Sequence, residues 1–182
     1  YKIACTASAM QELLGIDAPC VGGMLAANVR DREAVLPLSN FVHVGVECEV
    51  AMRLASDVAA AGAPYTGDGI AEHVEACMAA AEIVDNRYED FRGFGVPSLI
   101  ADDFFCAGAV VGEAVRNWRE IDLAGVTGTT RINGAEAGRG RGSDVMGHPL
   151  EALAWLANTL AGRGRSLKRG DLVLTGSMVL VQ

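Results

Sequence analysis

The sequence predicts an α+β protein whose strands fold into a mixed β-sandwich or roll with a few flanking helices. Strand-like stretches outnumber helix-like ones, and the helices do not alternate with strands as a doubly wound sheet requires. The chain has 182 residues, of which 51% are hydrophobic, and this suits one domain with a substantial core. We therefore expect a single domain over residues 1–182, shortened at both ends because the chain begins and stops in strand-like sequence.

The charge, hydropathy and cysteines of the sequence argue against several classes of protein. The net charge of −8 and pI of about 4.8 disfavour nucleic-acid binding, which needs a basic patch. No apolar run approaches the roughly 18 residues that span a bilayer, so we expect no membrane partner. The five cysteines show neither a C-x-x-C pair nor zinc-site spacing, which is typical of buried thiols in a reducing compartment. Without a signal-peptide pattern, the expected location is the cytoplasm.

The first elements are short. Tyr1–Cys5 is strand-like and carries Lys2, a charged residue in an uncommon place. The spacing from Ser8 to Gln11 predicts a capping box for a short helix that Gly15 ends.

The period-two alternation of Val46–Leu54 predicts a half-buried strand. The same alternation places Glu47 and Glu49 on one face, roughly 7 Å apart along the strand. Two like charges this close repel, and a divalent cation between them would convert the repulsion into binding. On this strand alone, two solvated glutamates are the simpler interpretation.

A second acidic strand follows a predicted helix. Ile70–Ala81 places Ile70, Val74 and Cys77 at helical spacing, and residues 80–88 are strand-like. Glu82 and Asp85 lie three residues apart, so on a regular strand they face opposite ways.

The remaining elements follow from turn and cap signals. Asp102 and Asp103 are predicted to cap a helix that runs through residues 107–112. Asn133-Gly134 predicts a hairpin between residues 126–132 and 135–141. His148-Pro149 opens a helix that ends at Gly162 or Gly164, and residues 172–181 form a final strand.

Five stretches in collinear order resemble the 2-keto-4-pentenoate hydratases and 2-oxo-3-hexenedioate decarboxylases of the fumarylacetoacetate hydrolase superfamily. They are Tyr1–Gln11, Glu47–Glu49, Glu82–Tyr88, Gly142–Asn158 and Gly170–Ser177. The resemblance implies the fold of that superfamily's C-terminal domain. It also implies a Mg²⁺- or Mn²⁺-dependent enzyme that acts on a small 2-oxo acid of aromatic-compound catabolism, typically as a homo-oligomer.

The resemblance also implies roles for individual residues. Glu47, Glu49 and Glu82 match the metal ligands, and Lys2 matches the active-site lysine that protonates or stabilises the enolate. The segment Thr175, Gly176 and Ser177 is expected to contact the substrate carboxylate. Asp85 is expected to stay outside the ligand set, because it can pair with the nearby Arg87 guanidinium.

At two places the sequence departs from the pattern of the resembling family, and these departures leave the identity of the substrate undecided. Cys20 stands where many relatives have an aspartate, and residues 102–106 read Asp-Asp-Phe-Phe-Cys where many read Asp-Asn-Ala-Ser-Ser. Hydration of a 2-hydroxydienoic acid is the favoured activity, and decarboxylation of 2-oxo-3-hexenedioate is the alternative. An acylpyruvate hydrolase would need a glutamate–histidine pair for which the sequence offers no strong candidate. A non-catalytic 2-oxo-acid-binding protein would keep the metal site without a working acid or base, and the presence of Lys2 argues modestly against it.

Overall fold

The structure is a computed structural model that describes residues 1–179 and residue 181. Its strands are β1 (Lys2–Ala4), β2 (Cys20–Gly22), β3 (Val29–Asp31), β4 (Val44–Leu54), β5 (Val74–Asp85), β6 (Cys106–Val111), β7 (Thr127–Ile132), β8 (Ala135–Arg141) and β9 (Leu172–Val179). Its α-helices are α1 (Ser8–Leu14), α2 (Gly67–Ala71), α3 (Val96–Ala101) and α4 (Pro149–Ala161). In the part of the chain that is described, no helix has the length and apolar character needed to cross a membrane.

Seven of the strands form one mixed sheet, in the order β2-β1-β9-β4-β5-β6-β3. The pairs β1–β9 and β3–β6 are parallel, and the other neighbours are antiparallel. The strands β7 and β8 form a separate two-stranded hairpin. This arrangement confirms the predicted α+β class with a strand-dominated core and few helices.

The central strand β4 has two different faces. Val50, Met52 and Leu54 belong to the main hydrophobic cluster, which α4 completes with residues such as Leu153 and Leu156. Ala51 points the other way, into a smaller cluster with five other buried residues, namely Met78, Ala80, Ala109, Val111 and Leu174. The period-two alternation of the strand thus separates a thick apolar face from the face that carries Glu47 and Glu49.

The elements near the C-terminal end of the chain agree with the predictions made from the sequence. In the hairpin turn, Asn133 and Gly134 both have positive φ, at 52° and 84°, as a type I′ turn requires. His148 caps α4 through its Nδ1, which accepts a hydrogen bond from the Leu150 amide, and Gly162 follows the helix. The final strand was predicted over residues 172–181 and is observed over Leu172–Val179, while residues 180 and 182 lie outside the described range.

The predicted helix over Ile70–Ala81 is wrong. Only the short helix α2 lies there, and β5 begins at Val74. β5 is bordered by β4 and β6 and is buried on both faces along most of its length. A strand buried on both faces is apolar almost continuously, so its residues matched helical spacing by chance.

Two predictions at helix starts are also wrong. Residues 106–111 form the strand β6, not a helix capped by Asp102 and Asp103. The chain between α3 and β6 turns through positive φ at Asp103, Phe104 and Phe105, which no right-handed helix can continue. At α1 the N-cap is Ala7, with no side-chain cap, because the Gln11 amide donates to the Cys5 carbonyl instead.

Candidate active site

The pairing of β4 with β5 brings three carboxylates together. Glu47 lies directly opposite Glu82, and Glu49 follows two residues along the same face. One carboxylate oxygen from each of Glu47, Glu49 and Glu82 lies within 4.8 Å of the other two. The register of the two strands is continuous through this region, so the parity that separates Glu82 from Asp85 is preserved.

These carboxylates are buried and repel one another. Glu49 and Glu82 are each 1% exposed, and Glu47 is half-buried. Burial, followed by the charge of Glu82, raises the pKa of Glu47 to about 7. Burial, followed by the charges of Glu82 and Glu47, raises the pKa of Glu49 well above its ordinary value. The cluster therefore holds negative charge at a considerable electrostatic cost.

Lys2 is the cation next to this cluster. It lies on β1, is 2% exposed, and its Nζ donates to Glu82 Oε1 at 2.9 Å and to the Phe104 carbonyl at 3.2 Å. Burial alone lowers the pKa of Lys2, but the charge of Glu82 and the hydrogen bond to it outweigh this, and the net pKa is raised. The ammonium group therefore stays charged at neutral pH and offsets part of the negative charge.

The strand β9 positions Glu49. The Gly176 amide donates to Glu49 Oε2 at 2.8 Å, which fixes the orientation of that carboxylate. The Thr175 hydroxyl is fully buried and donates to the Val50 carbonyl, and the Ser177 hydroxyl donates to the Val179 carbonyl. Of the predicted substrate-binding segment, Gly176 is thus the residue in direct contact with the carboxylate cluster.

Asp85 does not belong to the cluster. Its Oδ1 accepts hydrogen bonds from the Val42 and His43 amides, both at 2.8 Å, and so holds the chain at the entry to β4. The expected pairing with Arg87 is absent from the contacts of the described residues, since Arg87 makes a bidentate ion pair with Asp102 at 3.0 and 3.1 Å. Asp85 is a structural acid with backbone partners.

The turn between α3 and β6 supplies functional groups that the sequence did not reveal. Asp103, Phe104 and Phe105 have φ values of 60°, 47° and 67°, and each such residue costs roughly 1–2 kcal/mol. The strained turn aims the Phe104 carbonyl at Lys2 and places the Cys106 thiol beside Glu82. Burial, followed by the charge of Glu82, raises the pKa of Cys106 to about 12, so this thiol stays protonated. The only signal in the sequence was that residues 102–106 depart from the pattern of the resembling family.

The three carboxylates fit a hard divalent cation. Two oxygens on opposite sides of an ion at about 2.1 Å are about 4.2 Å apart, so three oxygens within 4.8 Å of one another are near enough to share one ion. All three donors are carboxylate oxygens, which Mg²⁺ and Mn²⁺ prefer, and the repulsion among them is what a bound cation would relieve.

The chain is similar in sequence to known proteins. Residues 22–180 match the family model described as fumarylacetoacetate (FAA) hydrolase C-terminal. A 2-keto-4-pentenoate hydratase from Burkholderia vietnamiensis is 34% identical over 97% of this chain and 66% of its own length. A 4-oxalocrotonate decarboxylase from Pseudomonas putida is 29% identical over the same shares of the two chains. The chain thus spans about two thirds of the length of these relatives.

A solved structure extends the likeness to three dimensions. The 4-oxalocrotonate decarboxylase from Pseudomonas putida G7, complexed with magnesium and adipate, superposes with a TM-score of 0.91 at 25% identity. The superposition covers 99% of this chain and 67% of that one. On the family match and the shared fold together, this chain belongs to the fumarylacetoacetate hydrolase family.

Proposed function

We propose that the protein is a Mg²⁺- or Mn²⁺-dependent hydratase of a small 2-hydroxydienoic acid such as 2-hydroxypenta-2,4-dienoate, the enol form of 2-keto-4-pentenoate. The observation that carries the proposal is the buried cluster of Glu47, Glu49 and Glu82 with Lys2 bonded to it. Curated relatives that are 33–35% identical are named hydratases of such acids, and this supports the same reaction here.

Glu47, Glu49 and Glu82 would hold the cation. Glu49 is already oriented by the Gly176 amide, and Glu82 by the Lys2 ammonium, so two of the three ligands are positioned before any ion binds. When bound, the cation supplies Lewis-acid stabilisation for negative charge that develops on the 2-oxo oxygen of the substrate.

Lys2 would hold a proton at Nζ beside the reacting atoms. Its raised pKa keeps it charged, which suits an electrostatic stabiliser or proton donor to an enolate and not a general base. The Phe104 carbonyl and Glu82 fix the position of Nζ, so little reorganisation is needed during the reaction. The overall reaction adds one water: C4 gains the hydroxyl, C3 and C5 each gain one proton, and these two protons come from the water and from the 2-hydroxyl, which becomes the 2-oxo group.

Thr175, Gly176 and Ser177 remain our candidates for binding the substrate carboxylate. The support is that Gly176 touches Glu49, which places this backbone at the rim of the carboxylate cluster. The half-buried Ser177 carries a hydroxyl on the same segment, which in this structure donates to the Val179 carbonyl.

Decarboxylation of 2-oxo-3-hexenedioate is the second candidate function. It is favoured by the decarboxylase relatives, which are 28–29% identical, and by the superposition on the decarboxylase from Pseudomonas putida G7. The same site could serve either reaction, because both pass negative charge to the 2-oxo oxygen. Hydration ranks first because the hydratases are closer in sequence.

Hydrolysis of an acylpyruvate is less well supported. It needs a histidine to activate water, and the three histidines have other roles. His148 caps α4, His73 bonds Ser56, and His43 bonds the Asn86 carbonyl.

The direct test is to incubate the protein and Mg²⁺ with 2-hydroxypenta-2,4-dienoate, 2-oxo-3-hexenedioate and an acylpyruvate. Loss of the dienoate's ultraviolet absorbance without CO₂ release would support the hydratase. CO₂ release from the second substrate would support the decarboxylase, and pyruvate release from the third would support a hydrolase. Binding of a 2-oxo acid without turnover of any substrate would make it a binding protein.

We also propose a homo-oligomer in the cytoplasm. The residues between β2 and β4 expose several large apolar side chains, including Leu25, Val35, Leu38 and Val42, which a second subunit could cover. The five cysteines, all within the described range, are free thiols, which suits a reducing compartment. Light scattering after size-exclusion chromatography tests the assembly, and a monomeric mass would contradict it.

A further inference from the structure

A small cavity of about 140 Å³ is bordered by Cys106, whose side chain lies next to Glu82 of the carboxylate cluster. One wall is the loop Gly23–Leu25 with Asn28, and the other is formed by Asp103 and the start of β6, Cys106–Gly108. Cys106 is shared between the two sites, because its thiol lies near Glu82. The volume is well below the roughly 300 Å³ of a typical ligand pocket, so it suits the tail of a small substrate whose head lies at the cluster.

Asp103 is the charged residue in this cavity wall. Its Oδ1 accepts a hydrogen bond from the Gly23 amide at 3.1 Å, and its carboxylate packs closely against Gly22. A Cβ on residue 22 would lie 2.1 Å from Asp103 Oδ1, so only glycine permits this approach. The carboxylate is therefore held in the wall by the backbone of the opposite loop.

None of the residues that line the cavity is basic. The nearby cation Lys2 is already bonded to Glu82 and to the Phe104 carbonyl. Burial raises the pKa of Asp103, and the charge of Lys2 and the hydrogen bond from the Gly23 amide oppose this. A second carboxylate entering this cavity would meet the Asp103 charge, whereas Lys2 is bonded to Glu82 and Arg53 lines the adjoining cavity that shares Gly23 and Met24.

We propose that Asp103 determines substrate specificity by excluding acids with a second, distal carboxylate, so that the substrates are 2-hydroxydienoates with a short uncharged tail. This inference rests on the proposed function and sharpens it, because it predicts poor use of the dioate that a decarboxylase of 2-oxo-3-hexenedioate must accept. Like charges brought together disfavour binding, and we expect at least about a tenfold preference for the monocarboxylate.

The turn that carries Asp103 is built to keep this carboxylate in place. Phe104 is buried against Leu99 and Cys20, and Phe105 stacks edge-on against Tyr88 and Phe91. The left-handed backbone at Asp103 is also accessible to asparagine, the closest uncharged match in shape. Asp103→Asn therefore removes the charge while retaining an oxygen that can accept the Gly23 amide proton.

The test compares the wild-type protein and the Asp103→Asn variant, both with saturating Mg²⁺. Calorimetry gives the affinities for 2-oxopentanoate and 2-oxohexanedioate, two saturated acids that cannot be hydrated and differ in the distal carboxylate. Steady-state kinetics give kcat/KM for 2-hydroxypenta-2,4-dienoate and for the corresponding hexadienedioate. The control Asp68→Asn makes the same change in net charge at an exposed position on α2.

We expect the wild-type preference for the monocarboxylate to fall about tenfold in Asp103→Asn and to stay unchanged in Asp68→Asn. An equal preference in the wild type and Asp103→Asn would overturn the role of Asp103 while leaving the hydratase proposal intact. If the wild-type protein bound neither analogue and turned over neither dienoate, both proposals would be wrong.

Discussion

The two faces of β4 affect the stability of the fold in opposite directions. On one face, Met52 and Leu54 are completely buried in the main hydrophobic cluster, where burial stabilises the fold. On the other face, Glu47 and Glu49 are brought against Glu82, where burial raises the pKa of Glu47 and Glu49. The two faces of one strand thus have opposite effects on the stability of the metal-free protein.

The difference shows how a binding site can be carried by a rigid strand. The apolar face fixes the register of β4 against β5 and β9, since a slip of one residue would turn every buried side chain to the wrong side. With the register fixed, the backbone positions of Glu47, Glu49 and Glu82 stay together despite the repulsion among their carboxylates. The free energy gained by burying the apolar face offsets the electrostatic cost of holding the carboxylates together on the other face.

The largest effect is expected at Lys2. Replacing Lys2 by methionine keeps most of the buried stem and removes the charge, and we predict that kcat falls by about 10³-fold, the usual range for loss of a proton-transfer group. Steady-state kinetics with saturating Mg²⁺ measure this, with circular dichroism to correct for the folded fraction, because Glu82 loses its buried partner. The surface variant Lys168→Met is the control, and an equal kcat in both variants would remove Lys2 from the chemistry.

The apolar face is tested with Met52→Ala. The side chain is 0% exposed, so its truncation should lower the free energy of unfolding by about 2–5 kcal/mol. Urea denaturation measures this loss. The affinity of the folded protein for Mn²⁺ should stay at the wild-type value, and a weakened affinity would mean that the two faces are not independent.

The acidic face is tested with Glu49→Gln. Loss of one charged ligand should weaken Mn²⁺ binding by about 100-fold, as titration calorimetry would measure. Without metal the same variant should melt at a higher temperature than the wild type at neutral pH, because it lacks the free-energy cost that the raised pKa of Glu49 imposes on folding. Glu89→Gln, at an exposed position, is the control for both measurements, and a lower melting temperature for Glu49→Gln in chelator would contradict the electrostatic account.

A smaller effect is expected from pH. Burial and the charge of Glu82 raise the pKa of Glu47 from an ordinary 4.5 to about 7, so in this interval the metal-free folded protein binds a proton that the unfolded chain has released. The contribution of Glu47 to stability is therefore present below about pH 4.5 and is lost as the pH rises through about 7. Denaturation in chelator between pH 5 and 8 should show this fall, and Glu47→Gln should flatten it. Parallel pH curves for the two proteins would exclude Glu47 as the cause.

Much of the fold could be predicted because its signals are local. The alternation in β4, the Asn133-Gly134 turn and the His148-Pro149 helix start each depend on a few neighbouring residues. The predictions failed at β5 and β6, where burial on both faces removes the alternation that distinguishes a strand. That burial depends on the sheet order and is not encoded in a short window of sequence.

The candidate active site was also only partly predictable from the sequence. The parity of β4 placed Glu47 and Glu49 on one face, but their meeting with Glu82 depends on the register between two strands, and the family resemblance supplied that residue. The Phe104 carbonyl and the Asp103 carboxylate could not be predicted, because their positions depend on three consecutive left-handed residues that carry no glycine. The role of a backbone carbonyl also cannot be predicted from residue type, because every residue has one.

The central claim is that Glu47, Glu49 and Glu82 together hold one divalent cation, and a crystal structure of the protein soaked in Mn²⁺ tests it most directly. We predict one anomalous peak per chain, with a carboxylate oxygen of each of the three residues within roughly 2.0–2.3 Å of the ion. An ion bound by Asp85 with Glu82 turned away, or no peak at the cluster under saturating Mn²⁺, would contradict the account.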